Sequence, residues 1–136
     1  MLVAGSVVLL LDQWSKKVIE LHAGPSGISL GPILRIHHAR SVKDFYSRDG
    51  PRAALILIWL AAVASGIMLH AAGDKLQSDA AMVGLGAAVG GAAGNLYDIL
   101  RRRHVVDFID FGWWPAFNVA DIAIVGGLML VLWPPI

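Results

Sequence analysis

Asp107 and Asp121 are the residues best placed to do chemistry. Asp121 interrupts an otherwise uncharged apolar stretch, Phe111 to Ile136, whose length and composition suit a membrane helix, and a carboxylate placed there is costly enough to need a purpose. Asp107 lies a short loop upstream, in Val105-Val106-Asp107-Phe108-Ile109. Two carboxyl groups a few ångströms apart in low dielectric do not both ionise comfortably, so such a pair keeps one proton. The anionic member can then activate water while the protonated member polarises a peptide carbonyl. The pair titrates as a unit and needs neither metal nor thiol. The chain has no cysteine, which excludes disulfides, thiolate catalysis and cysteine zinc sites. The five histidines, His22, His37, His38, His70 and His104, are scattered. The adjacent His37-His38 reads as a loop feature, so no metal and no cofactor is expected.

Polar residues elsewhere can support such a pair. Asn95-Leu-Tyr-Asp98 and Asn118-Val-Ala-Asp121 share a spacing of three, which puts each Asn and its Asp on one helical face, and both pairs can point into one site. Helix capping is the competing reading for Asn95 and Asn118. It fits Asp121 less well, because apolar sequence continues after it. Asp12 and Lys16 stand four apart with the acid towards the N-terminus, the favourable order for an intrahelical pair that neutralises itself near a membrane.

The elements that must position these residues are membrane helices. The chain of 136 residues is 57% hydrophobic and 15% charged, with a mean hydropathy of +0.65; ordinary soluble domains are about a quarter charged. Its net charge of +1 gives no reason to expect a nucleic-acid partner. Four apolar stretches approach the ~20 residues that a bilayer requires. They predict spans at about 2–21, 53–71, 80–98 and 117–133. A polar segment, 22–52, follows the first span, a short turn from Gly73 to Asp79 joins the second to the third, and a basic loop with Arg101, Arg102 and Arg103 precedes the fourth. The N-terminus lacks the basic region and small-residue cleavage site of a secretory signal, and reads as a membrane helix with a few residues missing from its start. Within the third span, Gly86-Ala-Ala-Val-Gly90-Gly-Ala-Ala-Gly94 repeats a small-xxx-small pattern that lets a neighbouring helix approach closely. Packing alone suffices to explain those glycines. Trp14, Trp113 and Trp114 suit the aromatic belt at a membrane interface.

Four blocks in order give the chain a family likeness. Asp12-Gln13-Trp14-Ser15-Lys16, Gly91-Ala-Ala-Gly94-Asn95-Leu96-Tyr97-Asp98, Val105-Val106-Asp107-Phe108-Ile109 and Phe117-Asn118-Val119-Ala120-Asp121 resemble the motifs of the lipoprotein signal peptidases, or signal peptidase II. The resemblance implies an all-α integral membrane protein: a four-transmembrane-helix bundle forming one membrane-embedded peptidase domain over 1–136, with a long extracytoplasmic loop that has room for short β-structure. It implies an aspartic endopeptidase that cuts bacterial prolipoproteins just before a diacylglyceryl-modified cysteine. Asp107 and Asp121 are then the catalytic residues, and Asn95, Asp98, Asn118, Asp12 and Lys16 bind substrate or support the pair. The expected partners are the lipid-modified prolipoprotein and membrane lipid. A monomer is expected, in the bacterial cytoplasmic (inner) membrane, with the site towards the extracytoplasmic face.

Two departures from the family pattern stand out. The first polar loop carries His37-His38-Ala39-Arg40-Ser41-Val42-Lys43-Asp44-Phe45, in which the family's usual Asn-x-Gly-Ala-Ala-Phe-like block is not evident. Ile99 follows Asp98 where the family commonly has Arg, with Arg101 to Arg103 the nearest substitutes. Charge bias also pulls the other way: of eleven Lys and Arg residues, only Lys75 lies in the turn between the second and third spans, and a positive-inside count would place the long loops in the cytoplasm. The alternative functional readings are a cation- or proton-binding membrane subunit built on Asp98, Asp107, Asp121, Asn95 and Asn118, and a catalytically weak or silent paralogue.

Overall fold

The computed structural model describes residues 1–23, 28–29, 35–36, 62–63, 66–67, 73, 78–102, 105–113 and 116–132. Three long helices dominate them: α1 (Leu2–His22), α2 (Asp79–Arg102) and α3 (Val119–Leu132). The apolar run preceding Asp12 starts α1 within a residue of the expected position. Ser78 starts α2, its Oγ accepting the Ala81 N–H at 3.2 Å, so a hydroxyl satisfies one of the donors that a helix start leaves without an internal partner. The helix then continues four residues past Asp98, the expected end, to Arg102. Basic Arg101 and Arg102 in its last turn face the negative end of the helix dipole. The expected second span lies outside the described residues except for 62–63 and 66–67, which are helical.

α2 is the central helix, packing on α3 and on α1, and its glycines decide how closely. A Cβ at Gly90 would meet the backbone of Gly5 on α1, and one at Gly86 would meet the Met1 carbonyl. On the other side, a Cβ at Gly91 would lie 2.5 Å from the Ala120 carbonyl oxygen, and one at Gly84 would lie 2.5 Å from that of Gly127. The doubled small-residue pattern is thus two packing stripes on one helix, turned towards two neighbours.

The distribution of polarity is inverted relative to a soluble protein. Asp12, Lys16, Asp98 and Asn118 are fully buried, whereas Leu2, Val3, Leu10, Leu21, Leu100, Ile122, Val125 and Met129 are exposed. Apolar side chains outward and ionic ones inward is what a hydrocarbon solvent selects. Among the described residues, α2 is the one helix long and apolar enough to cross a membrane by length and composition.

A small antiparallel sheet sits at the end of α2 from which the chain runs on towards α3. Its strands β1 (Ile28–Ser29), β2 (Arg35–Ile36) and β3 (Ile109–Asp110) pair in that order, with Ile28 opposite Ile36 and Ile36 opposite Ile109. Phe117 closes the other side of β3: its carbonyl accepts the Ile109 N–H at 2.9 Å, and its N–H donates to the Ile109 carbonyl at 3.0 Å. Between them the chain reverses. Asp110 Oδ1 accepts the Gly112 N–H at 2.7 Å, and Gly112 has φ of +79°, a conformation open to glycine at little cost. This reversal sets the Asp107 segment beside the start of α3.

Candidate active site

Asn118 organises the start of α3. Its Oδ1 accepts the Asp121 N–H at 3.0 Å, while Asp121 Oδ2 accepts the Asn118 N–H at 3.1 Å. This reciprocal arrangement is a capping box, with Asp in place of the usual Glu or Gln. Asn118 therefore caps the helix and belongs to the site at once, and Asp121, for which capping was the weaker expectation, completes the same box. A carboxylate in the first turn also faces the positive end of the helix dipole.

The remaining amide hydrogens of Asn118 join the two aspartates. Asn118 Nδ2 donates to Asp107 Oδ1 at 2.8 Å and to Asn95 Oδ1 at 3.0 Å, and Asn95 Nδ2 donates to Asp121 Oδ1 at 2.8 Å. Two asparagines thus link Asp107 to Asp121 in one hydrogen-bonded chain, Asp107–Asn118–Asn95–Asp121. Asn95 lies within α2 and caps nothing. Both aspartates are half-buried, so the pair is the accessible edge of an otherwise buried cluster. Burial pushes the Asp107 carboxyl up to about 6; the neighbouring Asp121 charge adds to the rise, while the Asn118 bond and Lys16 oppose it.

Behind this chain of bonds lies a buried ionic layer. Lys16 Nζ stands 2.7 Å from Asp12 Oδ2 and 2.6 Å from Asp98 Oδ2, all three side chains being fully buried, and it donates to Asn95 Oδ1 at 3.2 Å. Asp12 Oδ1 accepts the Ala120 N–H at 3.0 Å, adding a second cap to α3 from 108 residues away in sequence. The approach of Asp12 to α2 requires glycine at position 94, where a Cβ would come within 2.6 Å of the carboxylate. Asp12 and Lys16 are the intrahelical pair expected from their spacing, but they sit in the core of the bundle instead of neutralising each other at its edge. Asp98 shares a helical face with Asn95 yet turns to this rear layer, so Asp12, Lys16 and Asp98, all fully buried, reach the pair through intermediates.

Gln13, quoted in the first block but given no role, and Arg102, one of the three arginines named as substitutes for the cation after Asp98, complete the layer. Gln13 Nε2 donates to Asp12 Oδ2 and to Asp98 Oδ1, each at 3.1 Å. Arg102 Nη1 donates to Asp98 Oδ1 at 2.5 Å and to Gln13 Oε1 at 3.1 Å. Arg102 thereby supplies a cation to Asp98 where Ile99 cannot. A signal was present: Asp12, Gln13, Lys16 and Glu20 crowd polar groups onto one side of a helix whose other positions are mostly apolar. The divergent loop His37–Phe45 lies outside the described residues.

These features define a membrane-embedded helical protein with a paired-carboxylate site at the end of its bundle. The chain belongs to the signal peptidase (SPase) II family, whose model matches residues 4–135. It is 32% identical over 130 residues to the lipoprotein signal peptidase of Pelotomaculum thermopropionicum, covering 94% of this chain and 86% of that protein. It is 37% identical over 130 residues to that of Moorella thermoacetica, covering 93% and 86%. The match to the Mycobacterium avium lipoprotein signal peptidase, 44% identical over 81 residues, spans 54% of this chain and less than half (44%) of that protein. The fold is that of a bacterial membrane enzyme solved by the in meso method at 1.9 Å, with a TM-score of 0.77, 22% identity and coverage of 96% of this chain and 88% of that one. The family is one of peptidases, which makes the chain a hydrolase by class.

Proposed function

We propose that this protein removes the signal peptide from diacylglyceryl-modified prolipoproteins, with Asp107 and Asp121 as the catalytic pair. The observation that carries the reading is the hydrogen-bonded chain in which Asn118 and Asn95 hold both carboxyl groups at the accessible edge of the bundle. Asp107, with its raised affinity for a proton, is the member that holds the shared proton. Asp121, whose two oxygens accept N–H groups from Asn95 and Asn118, is set as the base. Asp121 takes a proton from a water molecule as its oxygen attacks the scissile carbonyl, and Asp107 gives its proton to the carbonyl oxygen. The tetrahedral intermediate then collapses as the leaving nitrogen is protonated and the carbonyl re-forms, which returns one proton to the pair.

The lipid chains of the substrate lie in the bilayer against the exposed apolar faces of the helices, bringing the peptide to the pair as a local, oriented reactant. The whole chain acts as one membrane-embedded domain with four spanning helices. It works as a monomer in the bacterial cytoplasmic membrane, with the site on the extracytoplasmic face. A resident cation is the less favoured occupant, because the oxygens it would need already face amide donors and lie near Lys16. Incubating purified protein with a diacylglyceryl-modified precursor and its unmodified control tests the proposal. Cleavage of the modified form alone is the expected result; equal cleavage of both removes the lipid from the account.

A further inference from the structure

Arg102 makes more contacts than an exposed helix end requires. Its side chain is 23% exposed and reaches Asp98 on its own helix together with Gln13 and Glu20 on α1, its Nε lying 3.5 Å from Glu20 Oε1. A surface ion pair of this exposure would contribute little, but one of these acceptors is a carboxylate with no exposure at all. Nη1 donates to both Asp98 and Gln13 while Nε of the same plane faces Glu20, a two-point hold that the single ammonium of a lysine does not reproduce.

The consequence lies on the other side of Asp98. Arg102 and Gln13 occupy Oδ1, while Oδ2 accepts from Lys16 and from the Val106 backbone N–H at 3.4 Å. A carboxylate is rigid and planar, so fixing one oxygen fixes the direction of the other. Val106 is itself fully buried, and its carbonyl accepts Asn118 Nδ2 at 3.4 Å. One residue is thus gripped through its N–H from α2 and through its carbonyl from the start of α3, and the next residue is Asp107.

We propose that Arg102 is a positioning residue for the reaction, holding Asp107 in register with Asp121 through Asp98 and the Val106 backbone without touching substrate. The inference rests on the functional reading above. Arg102 orients the carboxylate, the carboxylate anchors the segment, and the segment carries the acid. Displacement of a reacting group by a fraction of an ångström to an ångström lowers turnover by up to about a hundredfold, whereas substrate binding, made elsewhere, is left as it was.

The test compares wild type, Arg102→Ala and Arg102→Lys on the lipid-modified precursor, measuring kcat and KM separately, with millimolar ethylguanidinium added and ethylammonium as its control. The expected result for Arg102→Ala is a kcat about ten- to a hundredfold lower, KM within about twofold, and partial recovery of kcat with ethylguanidinium but not ethylammonium. A merely structural role would lower the active fraction without that selective rescue. If Arg102→Ala does not fold, Arg102→Lys carries the test: reduced kcat at unchanged KM supports the proposal, and wild-type kcat overturns it. Active wild type with an equally active Arg102→Ala overturns this inference alone, whereas an inactive wild type fails the functional reading and this inference with it.

Discussion

Asp107→Asn should inactivate the protein and stabilise it above neutral pH. The folded state binds the Asp107 proton more tightly than the unfolded chain does, because its value is raised from 3.8 to about 6. Protonation at this site therefore favours folding, a contribution fully present below 3.8 and lost as pH rises through about 6. Above that range the wild-type protein carries a half-buried charge beside Asp121. A shift of about two units corresponds to roughly 3 kcal/mol at about 1.4 kcal/mol per unit, and solvent screening of a half-buried group reduces this to about 1–2 kcal/mol. Asparagine keeps the shape and can accept the Asn118 bond through its own Oδ1, so the charge is the main thing removed. Thermal unfolding in detergent micelles, followed by tryptophan fluorescence, should show the variant melting a few degrees higher than wild type at about pH 8. The two curves should converge towards about pH 4. A variant that is less stable at alkaline pH, or a difference that does not change with pH, refutes the reasoning.

Other perturbations separate the layers of the site. Lys16→Met leaves Asp12 and Asp98 buried without their shared cation and should cost about 3–5 kcal/mol, read as a lowered denaturation midpoint. Gly90→Ala drives a methyl group into the Gly5 backbone and should destabilise by about 1–3 kcal/mol. Gly126→Ala, with open space around its Cβ, should be neutral or up to about 1 kcal/mol stabilising in the same melt. Asn118→Ser keeps a capping oxygen but removes the amide that joins Asp107 to Asn95, so stability should stay within about 1 kcal/mol while cleavage falls sharply.

The sequence made the helices legible where hydrocarbon dictates composition. The first helix was expected at about 2–21 and is Leu2–His22, and the last was expected at about 117–133 and is Val119–Leu132. Charge starts to appear at the end of α2, so the expected boundary fell at Asp98, yet the helix runs on because Arg102 has partners on α1. The Asn-x-x-Asp spacing marked the right residues without revealing their directions: Asn95 turns forward to Asp121, and Asp98 turns back to Lys16. Periodicity within one helix carries no information about a neighbour 80 or 100 residues away. The bonds from Gln13 to Asp98 and from Asp12 to Ala120 were therefore invisible until the helices were placed together.

Single-turnover cleavage of a diacylglyceryl-modified precursor by wild type, Asp107→Asn and Asp121→Asn, each first shown to be folded by its melt, tests the paired-carboxylate claim most directly. The account predicts cleavage by wild type and none above background by either variant. Substantial cleavage by a folded variant lacking one of the two carboxyl groups would contradict it.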